Sequence, residues 1–489
     1  MLVANRGEIA VRIVRACRDL GMRAVAVYSD VDRAALHVRL ADEAYPIGEA
    51  APAKSYLSIE RILGVARRAG CDAIHPGYGF LAENAEFADA VAAAGLTFVG
   101  PPGDVQRLLG EKTAARRLAA RAGVPVAEGS AEPLVDEPSV RREADRIGYP
   151  VLLKPARGGG GKGMRVVRSA DELTGAWRGA TGEAQTAFGA PALLIERYLA
   201  AARHIEMQLL ADRHGALVWL GERDCSVQRR HQKLIEETPG PSVAGRLRDS
   251  LGDAALRIAR AAGYVNAGTA EFLVGRDGEF VFLEMNTRLQ VEHPVTEMVT
   301  GLDLVALQFR IAAGEPLPFG QADVRPRGAA IECRVTAEDA FEGFMPQGGR
   351  VDAVREPAGP GIRVDSALGP GSAVPTEYDP LLCKLVAAAA TRDAALARMR
   401  RAVAETIIAG VPTTLPFHRY VLQEPDFTAG RYDTSYVDEH WPPRGEDDLD
   451  DGAVAAAAAV GVLVSARRRP APATGPSAWA RRAREDALG

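Results

Sequence analysis

Residues 268–286, GTAEFLVGRDGEFVFLEMN, predict two antiparallel strands joined by a short turn. Asp277-Gly278 is a strong signal for a two-residue hairpin turn. A two-residue turn at this point makes Glu271 and Glu284 direct cross-strand partners, with Cβ atoms about 5 Å apart. Asn286 follows Glu284 by two residues and therefore points to the same face of the sheet.

Two carboxylates that oppose each other on a sheet repel unless a cation lies between them. Oxygen ligands at this spacing suit Mg²⁺ or Mn²⁺ bound to nucleotide phosphates. The alternative is that both glutamates face solvent, although apolar residues at 272, 273, 282 and 283 flank them. We therefore predict a metal site formed by Glu271, Glu284 and Asn286, which a one-residue shift in register would weaken.

The segment that follows, NTRLQVEHPVTE (286–297), alternates charged and polar residues. Arg288, Gln290 and Glu292 share a face if the backbone stays extended. A guanidinium and an amide can hold a small oxyanion, and a carboxylate beside them can accept its proton. An exposed polar strand or loop is the alternative, and His293 is predicted to be structural.

Upstream, the strand-like runs VLLKPA and GMRVVRS flank a glycine-rich segment, Gly158, Gly159, Gly160 and Gly161, followed by Lys162 and Gly163. This is not a P-loop, because no Ser or Thr follows the lysine and both flanks are predicted to be strands. Consecutive glycine N–H groups at a hairpin tip can cover a polyphosphate as a mobile lid. An ordinary loose hairpin loop is the alternative.

The segment RDCSVQRRHQK concentrates Arg229, Arg230, His231 and Lys233 within five residues. No aromatic residues are interleaved with them, so we expect them to face a nucleotide triphosphate rather than nucleic acid. Lysine is rare in this chain, with six among 59 basic residues, and an ammonium suits point contacts to phosphate. The six are Lys54, Lys112, Lys154, Lys162, Lys233 and Lys384.

The first hundred residues alternate apolar strands with helical stretches, which predicts a parallel sheet flanked by helices. ANRGEIA (4–10) lacks the GxGxxG pattern, so a dinucleotide site is not predicted there. The middle of the chain indicates α+β structure with antiparallel strands, and a further strand-rich region runs from about 328 to 385. The predicted fold class is therefore α/β and α+β, in several domains.

Composition excludes several classes of protein. A net charge of −5 over 489 residues gives no reason to expect nucleic-acid or membrane binding. The five cysteines lie far apart, which argues against a disulfide framework or zinc site and favours a reducing cytoplasm. After Trp441 an acidic linker and an Ala-rich tail follow, whose twelve-residue apolar run is too short to span a membrane. We expect the chain to be a piece of a longer polypeptide.

Taken in order, the chain resembles biotin carboxylase from residue 1 to about 441. The similar motifs are ANRGEIAVRI, HPGYGFLAEN, GEK, GGGGKGM, ERDCSVQRRHQK, EMNTRLQVEHPVTE, IECRVTAED and EYDPLLCKL. The resemblance implies an N-terminal Rossmann-like domain over 1–108 and an ATP-grasp domain over 109–312 with a lid at about 127–200. It further implies a C-terminal biotin carboxylase domain over 328–437, leaving 442–489 as linker and tail.

The resemblance also implies residue roles. ATP contacts would come from Lys112, Lys154, Gly158–Gly163, Glu196, Leu199, His204, Gln228, His231, Lys233, Glu271 and Glu284. Metal ligands would be Glu271, Glu284 and Asn286. Bicarbonate would lie against Arg288, Gln290 and the backbone of Val291. Glu292 would deprotonate bicarbonate, and Arg334 would stabilise the ureido oxygen of biotin.

The implied reaction is carboxylation of biotin through carboxyphosphate, with ATP and bicarbonate as substrates and Mg²⁺ or Mn²⁺, two ions in all, as cofactor. An Ala-Met-Lys-Met biotinylation site is absent from this sequence, so biotin would be a substrate carried by a separate protein or domain. The implied partners are that carrier, a carboxyltransferase and a second copy of the chain, within an acyl-CoA carboxylase of unassigned substrate. Another ATP-grasp ligase, acting on carbamate or amino acids, and an inactive scaffold are the alternatives.

Overall fold

The computed structural model of the protein describes residues 1–156 and 163–442. The predicted glycine lid, Gly158 to Lys162, and the predicted tail after 442 lie outside the described residues. Among the residues described, no helix has the length and apolar character that a membrane crossing requires.

The N-terminal region is a five-stranded parallel sheet in the order β3-β2-β1-β4-β5, as the sequence predicts. Helices alternate with the strands, and side chains such as that of Asn84 cap a helix by accepting a backbone N–H. The strands are β1 Leu2–Val3, β2 Val25–Ser29, β3 Glu43–Gly48, β4 Ala73–His75 and β5 Thr97–Phe98. The helices are α1 Gly7–Asp19, α2 Leu36–Leu40, α3 Ile59–Arg68, α4 Ala85–Ala93 and α5 Gly103–Gly110.

The described part of the middle region contains six helices and eight strands. The helices are α6 Lys112–Arg121, α7 Glu137–Ile147, α8 Leu173–Phe188, α9 Arg246–Ala261, α10 His293–Thr300 and α11 Leu304–Ala312. The strands are β6 Val151–Pro155, β7 Arg165–Val167, β8 Leu193–Arg197, β9 Arg203–Ala211, β10 Leu217–Arg229, β11 Gln232–Thr238, β12 Asn266–Val274 and β13 Phe280–Asn286. Strands β7, β6 and β8 form a small antiparallel sheet, so both flanks of the glycine-rich segment are strands, as predicted.

The last described region adds nine strands and four helices. The strands are β14 Ala329–Thr336, β15 Glu338–Asp339, β16 Met345–Pro346, β17 Gly349–Arg350, β18 Ala353–Arg355, β19 Ile362–Ser366, β20 Ala373–Val374, β21 Leu381–Ala389 and β22 Ile407–Ala409. The helices are α12 Arg392–Glu405, α13 Leu415–Val421, α14 Pro425–Thr428 and α15 Tyr436–His440.

An eight-stranded sheet in the order β13-β12-β9-β10-β11-β14-β21-β19 joins the middle and last regions. Every neighbouring pair in it is antiparallel, and β11 pairs with β14 across the boundary between the two regions. Side chains of both regions therefore lie on one continuous surface.

Strand β12 shows how this sheet separates a core from a polar face. Ala270, Phe272 and Val274 alternate along it and pack in one apolar cluster with α9 residues such as Leu251 and Ile258. Because successive strand residues point to opposite faces, Glu271 is directed away from that cluster. The apolar face is thus closed by a helix, and the polar face carries the charged groups.

The turn at the tip of the β12–β13 hairpin differs from the prediction. The N–H of Gly275 bonds the carbonyl of Glu279, and the N–H of Gly278 bonds the carbonyl of Gly275. The loop therefore holds three residues, with Gly278 at φ 80°, and the predicted two-residue turn is wrong. A bulge between Glu271 and Phe272 shifts the register back by one residue, so the predicted pairing of Glu271 with Glu284 is confirmed.

Candidate active site

Glu271 accepts hydrogen bonds from four side chains on the polar face of the sheet. Its Oε1 accepts from Lys233 Nζ and Asn286 Nδ2, both at 2.8 Å, and from Gln290 Nε2 at 2.9 Å. Its Oε2 lies 2.8 Å from Nε2 of His204. Burial raises the pKa of Glu271, but the charges of Lys233 and His204 outweigh it and hold that pKa well below its usual range. Glu271 is therefore a permanent anion at the centre of the site.

Glu284 faces Glu271 across the hairpin and is half-buried. Within the part of the chain that the structure describes, no hydrogen bond to its carboxylate is found. Burial and the charge of Glu271 raise the pKa of Glu284, while the charge of Lys112 opposes them. The negative charge of Glu284 is thus only weakly neutralised by neighbouring groups. A divalent cation between Glu271 and Glu284 would stabilise the pair.

Among the described residues, three groups of His, Cys, Asp or Glu have ligand atoms close enough to share one ion. They are His204–Glu206–Glu271, Glu206–Cys225–Glu292 and Glu424–Asp426–His440. Glu284 belongs to none of the three, so a metal held by Glu271 and Glu284 would need further oxygen ligands. Nucleotide phosphates are such ligands.

Lys233 connects three buried carboxylates. Its Nζ lies 2.5 Å from Glu206, 2.8 Å from Glu271 and 2.7 Å from Glu292. Although burial lowers the pKa of Lys233, the neighbouring anions raise it well above its usual value. The ammonium is therefore fixed as a charge, and it brings the predicted metal ligand and the predicted base to one place.

Glu292 lies between two cations. Lys233 binds its Oε1, and Arg334 Nη2 donates to its Oε2 at 2.9 Å. Arg334 comes from β14 and also donates to Glu236 through Nε at 2.5 Å. Burial raises the pKa of Glu292, but the charges of Lys233, Arg334 and Arg223 hold it well below its usual range. The carboxylate is ionised and can act as a proton acceptor.

The segment between β13 and α10 is not extended. The strand ends at Asn286, Val291 and Glu292 form a turn, and α10 begins at His293. The extended backbone on which a shared face of Arg288, Gln290 and Glu292 depended is therefore not found here. Arg288 Nη1 nevertheless bonds Gln290 Oε1 at 2.8 Å, so the tertiary fold brings these groups together.

Arg288 is oriented by the N-terminal region. Its Nε donates to Glu83 at 3.1 Å, and its Nη2 donates to Asn286 Oδ1 at 3.1 Å. Glu83 also accepts the backbone N–H of Thr287 at 2.9 Å. A carboxylate from the motif HPGYGFLAEN thus holds the guanidinium predicted to bind a small anion.

A second group of cations comes from α6 and the small sheet. Lys154 on β6 forms an ion pair with Glu196 on β8, which also binds Arg116 at 2.7 Å. Burial lowers the pKa of Lys112, at the start of α6. The charge of Glu284 raises that pKa and the charge of Lys154 lowers it. Lys112, Lys154 and Glu196 therefore lie near one another and near Glu284.

The hairpin between β10 and β11 has an unusual tip. Arg230 and His231 both have positive φ, at 48° and 66°, between the paired residues Arg229 and Gln232. Residues other than glycine, asparagine and aspartate rarely adopt this conformation, which is typical of strained functional segments. Near this tip, at the end of β10, the Nε2 atom of Gln228 lies 3.3 Å from Nδ1 of His204.

Leu199 is half-buried in the segment after β8.

The sequence analysis missed several charged residues that lie beside Lys233, Arg334 and Arg288. Arg223 is fully buried, bonds Glu206, and donates to Gln208 Oε1 at 2.7 Å. Glu206 follows His204 by two residues on one strand, so its position on the same face was available from strand periodicity. Arg223, Glu236 and Glu83 carried no comparable signal, because their partners come from distant segments.

Family models match three successive parts of the chain. Residues 111–319 match the ATP-binding domain of the carbamoyl-phosphate synthase L chain. Residues 1–105 match the N-terminal domain of biotin carboxylase, and residues 332–439 match its C-terminal domain. The middle match, together with the antiparallel sheet and its lysines and paired glutamates, defines the chain as an ATP-grasp enzyme.

Individual proteins narrow this class. Biotin carboxylase 1 of Bacillus subtilis is 48% identical over 441 residues, which cover 90% of this chain and 98% of that protein. A pyruvate carboxylase subunit of Methanothermobacter thermautotrophicus is 50% identical, over 90% of this chain and 89% of that protein. The biotin carboxylase domain dimer of Hydrogenobacter thermophilus 2-oxoglutarate carboxylase, crystallised with MgADP, ADP and bicarbonate, is 46% identical. It superposes with a TM-score of 0.88 over 90% of this chain and 97% of that chain. The chain belongs to the biotin carboxylase family.

Proposed function

We propose that this protein carboxylates biotin at the expense of ATP, with bicarbonate as the carbon source. The observation that carries the proposal is the position of Glu292, whose carboxylate is bound by Lys233 on one side and Arg334 on the other. An ionised base, a permanent cation beside it, and a guanidinium from a different domain are the groups that the two chemical steps require.

In the first step, bicarbonate binds against Arg288, Gln290 and the backbone of Val291. Glu292 accepts its proton, and a bicarbonate oxygen attacks the γ-phosphorus of ATP while the bond to ADP breaks. Phosphoryl transfer of this kind depends mainly on positioning and on charge neutralisation. We assign the neutralisation to Lys112, Lys154, Lys233 and the glycine-rich segment.

In the second step, carboxyphosphate breaks its C–O bond to give CO₂ and phosphate. Phosphate takes the N1′ proton of biotin, and N1′ forms the bond to CO₂. Negative charge develops on the ureido oxygen, and we propose that Arg334 stabilises it. Glu236 holds the Arg334 guanidinium through Nε, and Nη2 of Arg334 donates to Glu292.

Mg²⁺ or Mn²⁺, two ions in all, would be held by Glu271, Glu284 and Asn286. Such ions would supply positive charge to the nucleotide phosphates and to the leaving ADP. Adenine, ribose or nearby phosphates would lie against Glu196, Leu199, His204, Gln228 and His231.

The partners would be a biotin-bearing carrier protein or domain and a carboxyltransferase. Parts of pyruvate, 2-oxoglutarate and methylcrotonoyl-CoA carboxylases are all similar to this chain. We propose an acyl-CoA carboxylase as the setting, in which the carboxyltransferase selects the acyl group. A homodimer is proposed because the 2-oxoglutarate carboxylase domain was crystallised as one. Five free cysteines support the predicted reducing cytoplasm.

The test is release of ADP from ATP by the purified protein with Mg²⁺, with and without bicarbonate and free biotin. We expect hydrolysis that requires bicarbonate and increases with biotin. Hydrolysis that ignores biotin but responds to carbamate or an amino acid would assign the chain to another ATP-grasp ligase. Absence of any bicarbonate-dependent hydrolysis in folded protein would make it a scaffold.

The variant Glu292→Gln tests the proposed base. Its volume is unchanged but it cannot take a proton, so we expect bicarbonate-dependent hydrolysis to fall by about a hundredfold or more. MgADP binding, measured by calorimetry, should stay close to that of the wild type. Glu60→Gln, at an exposed position on α3, is the matched control and should have wild-type turnover.

A further inference from the structure

Three consecutive backbone carbonyls before α10 each accept a hydrogen bond from a side chain. Arg288 Nη1 donates to the carbonyl of Leu289 at 3.2 Å. His293 Nδ1 lies 2.8 Å from the carbonyl of Gln290, and Lys384 Nζ donates to that of Val291 at 2.8 Å. Loop carbonyls usually bond water or other backbone groups, so three side-chain donors in succession form a built device rather than a chance contact.

Fixing these carbonyls also fixes the neighbouring N–H groups. In a trans peptide the C=O and N–H of one planar unit point in opposite directions. The three peptides concerned are trans, so their N–H groups, at Gln290, Val291 and Glu292, point away from the three donors. Among the residues described, none of these N–H groups has a hydrogen-bond partner. They form a short row of free donors of the kind that binds small anions.

Lys384 is held in place from three sides. It projects from β21, its side chain is fully buried, and it pairs with Glu8 of α1 at 3.1 Å and with Asp365 of β19 at 3.8 Å. The ring of Tyr78 lies 5.8 Å from its Nζ. None of these groups belongs to the proposed reaction. Lys384 therefore fixes the carbonyl of Val291 relative to the N-terminal region and to the sheet.

His293 is likewise fully buried. Its Nδ1 faces a carbonyl, which can only accept, so Nδ1 carries the proton. Burial lowers the pKa of His293 well below its usual value, and the charges of Lys384, Arg12 and Arg363 act in the same direction. A neutral ring with a fixed tautomer donates one directed hydrogen bond to Gln290 and nothing else.

We infer that His293 and Lys384 are positioning residues that turn the N–H groups of Val291 and Glu292 toward the bicarbonate and the carboxyphosphate formed from it. The inference rests on the proposed function, because it assigns an orienting device to the same anion site. His293 controls the N–H of Val291 through the carbonyl of Gln290. Lys384 controls the N–H of Glu292 through the carbonyl of Val291.

The test is the KM for bicarbonate, read beside the affinity for MgADP. His293→Leu fills the space but removes the donor, so we expect the bicarbonate KM to rise on the order of ten- to a hundredfold. His293→Asn places an amide N–H near the position of Nδ1, and should restore most of the affinity. Affinity for MgADP should change less than about twofold in both variants, since neither touches the nucleotide side.

His37→Leu is the matched control. His37 is also fully buried and its ring also bonds a backbone carbonyl, that of Val27 at 3.3 Å, but it lies on α2 in the N-terminal region. A comparable loss of stability with an unchanged bicarbonate KM is expected for it. If His37→Leu raises the bicarbonate KM as much as His293→Leu does, the effect reports general loosening and the inference fails.

Lys384 is tested in the double variant Glu8→Gln/Lys384→Met, which removes the cation together with its nearest anion and also serves if His293→Leu does not fold. We expect the same selective rise in bicarbonate KM. An unchanged KM in this variant, or an equal loss of MgADP affinity, would overturn the role of Lys384. Wild-type protein without bicarbonate-dependent hydrolysis would instead refute the proposed function, so the two failures are distinguishable.

Discussion

Replacing Arg223 with methionine should destabilise the protein strongly, although this arginine lies behind the proposed reaction site. Its guanidinium is fully buried and bonds Glu206, Gln208, Thr269 and Thr296. Removing one partner of a buried ion pair costs about 3–5 kcal/mol. Here the Glu206 carboxylate would lose Arg223 and keep its ion pair with Lys233 at 2.5 Å. Loss of the bond to Gln208 adds about 1 kcal/mol, while the two threonine hydroxyls can rotate to other acceptors.

The expected total for Arg223→Met is therefore about 4–6 kcal/mol. If residues 1–442 unfold together, their unfolding entropy is roughly 0.9 kcal/mol per kelvin, which gives a fall in Tm of about 4–7 °C. Activity should fall as well, since Lys233 becomes the only cation bonded to Glu206 and is drawn away from Glu292. We expect bicarbonate-dependent ATP hydrolysis to drop at least about tenfold.

Two variants make this reasoning refutable by differential scanning calorimetry. Arg107→Met removes an exposed ion pair with Asp89, whose side chains are 55% and 50% exposed, and should change Tm by less than about 1 °C. The double variant Arg223→Met/Glu206→Gln also removes the negative charge of Glu206, and should recover part of the lost Tm. If Arg223→Met melts like the wild type, or if the double variant melts no higher than the single one, the buried-charge explanation is wrong.

Three further predictions concern the metal site, acid stability and the hairpin turn. Glu284→Gln should weaken MgADP binding about tenfold in calorimetry and leave binding of metal-free ADP unchanged; equal weakening of both would argue against metal ligation. Between pH 6.5 and 4, three buried histidines are protonated in the unfolded chain but stay neutral in the folded protein. The free energy of unfolding should therefore decrease, as the pH is lowered, by about 1.4 kcal/mol per pH unit for each histidine. The three, with pKa values lowered to about 4 by burial, are His37, His75 and His418. Calorimetry from pH 7 to 5 should therefore show a steep fall in Tm, made shallower by His37→Gln; a flat profile would contradict the argument. Gly278→Ala, at φ 80°, should destabilise the protein by about 1 kcal/mol. Gly182→Ala, at an exposed position within α8, should stabilise it by a similar amount. A change in Tm of the same sign for both variants would exclude backbone strain as the cause.

The pairing of Glu271 with Glu284 shows how local and tertiary information combined. The predicted two-residue turn was wrong, since the loop has three residues, and a bulge after Glu271 compensates the difference. Turn residues indicate that a hairpin exists, but loop length and bulges depend on how the strands pack against their neighbours. The correct pair was thus reached through a turn that the protein does not use.

The parallel sheet of the N-terminal region and the strands flanking the glycine-rich segment followed from periodicity. The chain order of strands and helices also indicated the antiparallel character of the middle region. By contrast, the run from Arg288 to Glu292 is a turn entering a helix, and alternation along a strand does not apply there. These side chains converge because Glu83, Lys233 and Arg334 reach them from other parts of the fold.

The chemical groups of this protein could be identified from its amino-acid order, because strand periodicity, glycine content and the spacing of acids and bases are local properties of the chain. That order therefore indicated the family, and it predicts the metal-binding carboxylates and the anion-binding segment that we propose. How those groups are held became clear from the folded chain alone. Arg223 behind Glu206, Glu236 behind Arg334, and Lys384 behind Val291 are contacts between distant segments. Each of them depends on which strands and helices come to lie side by side.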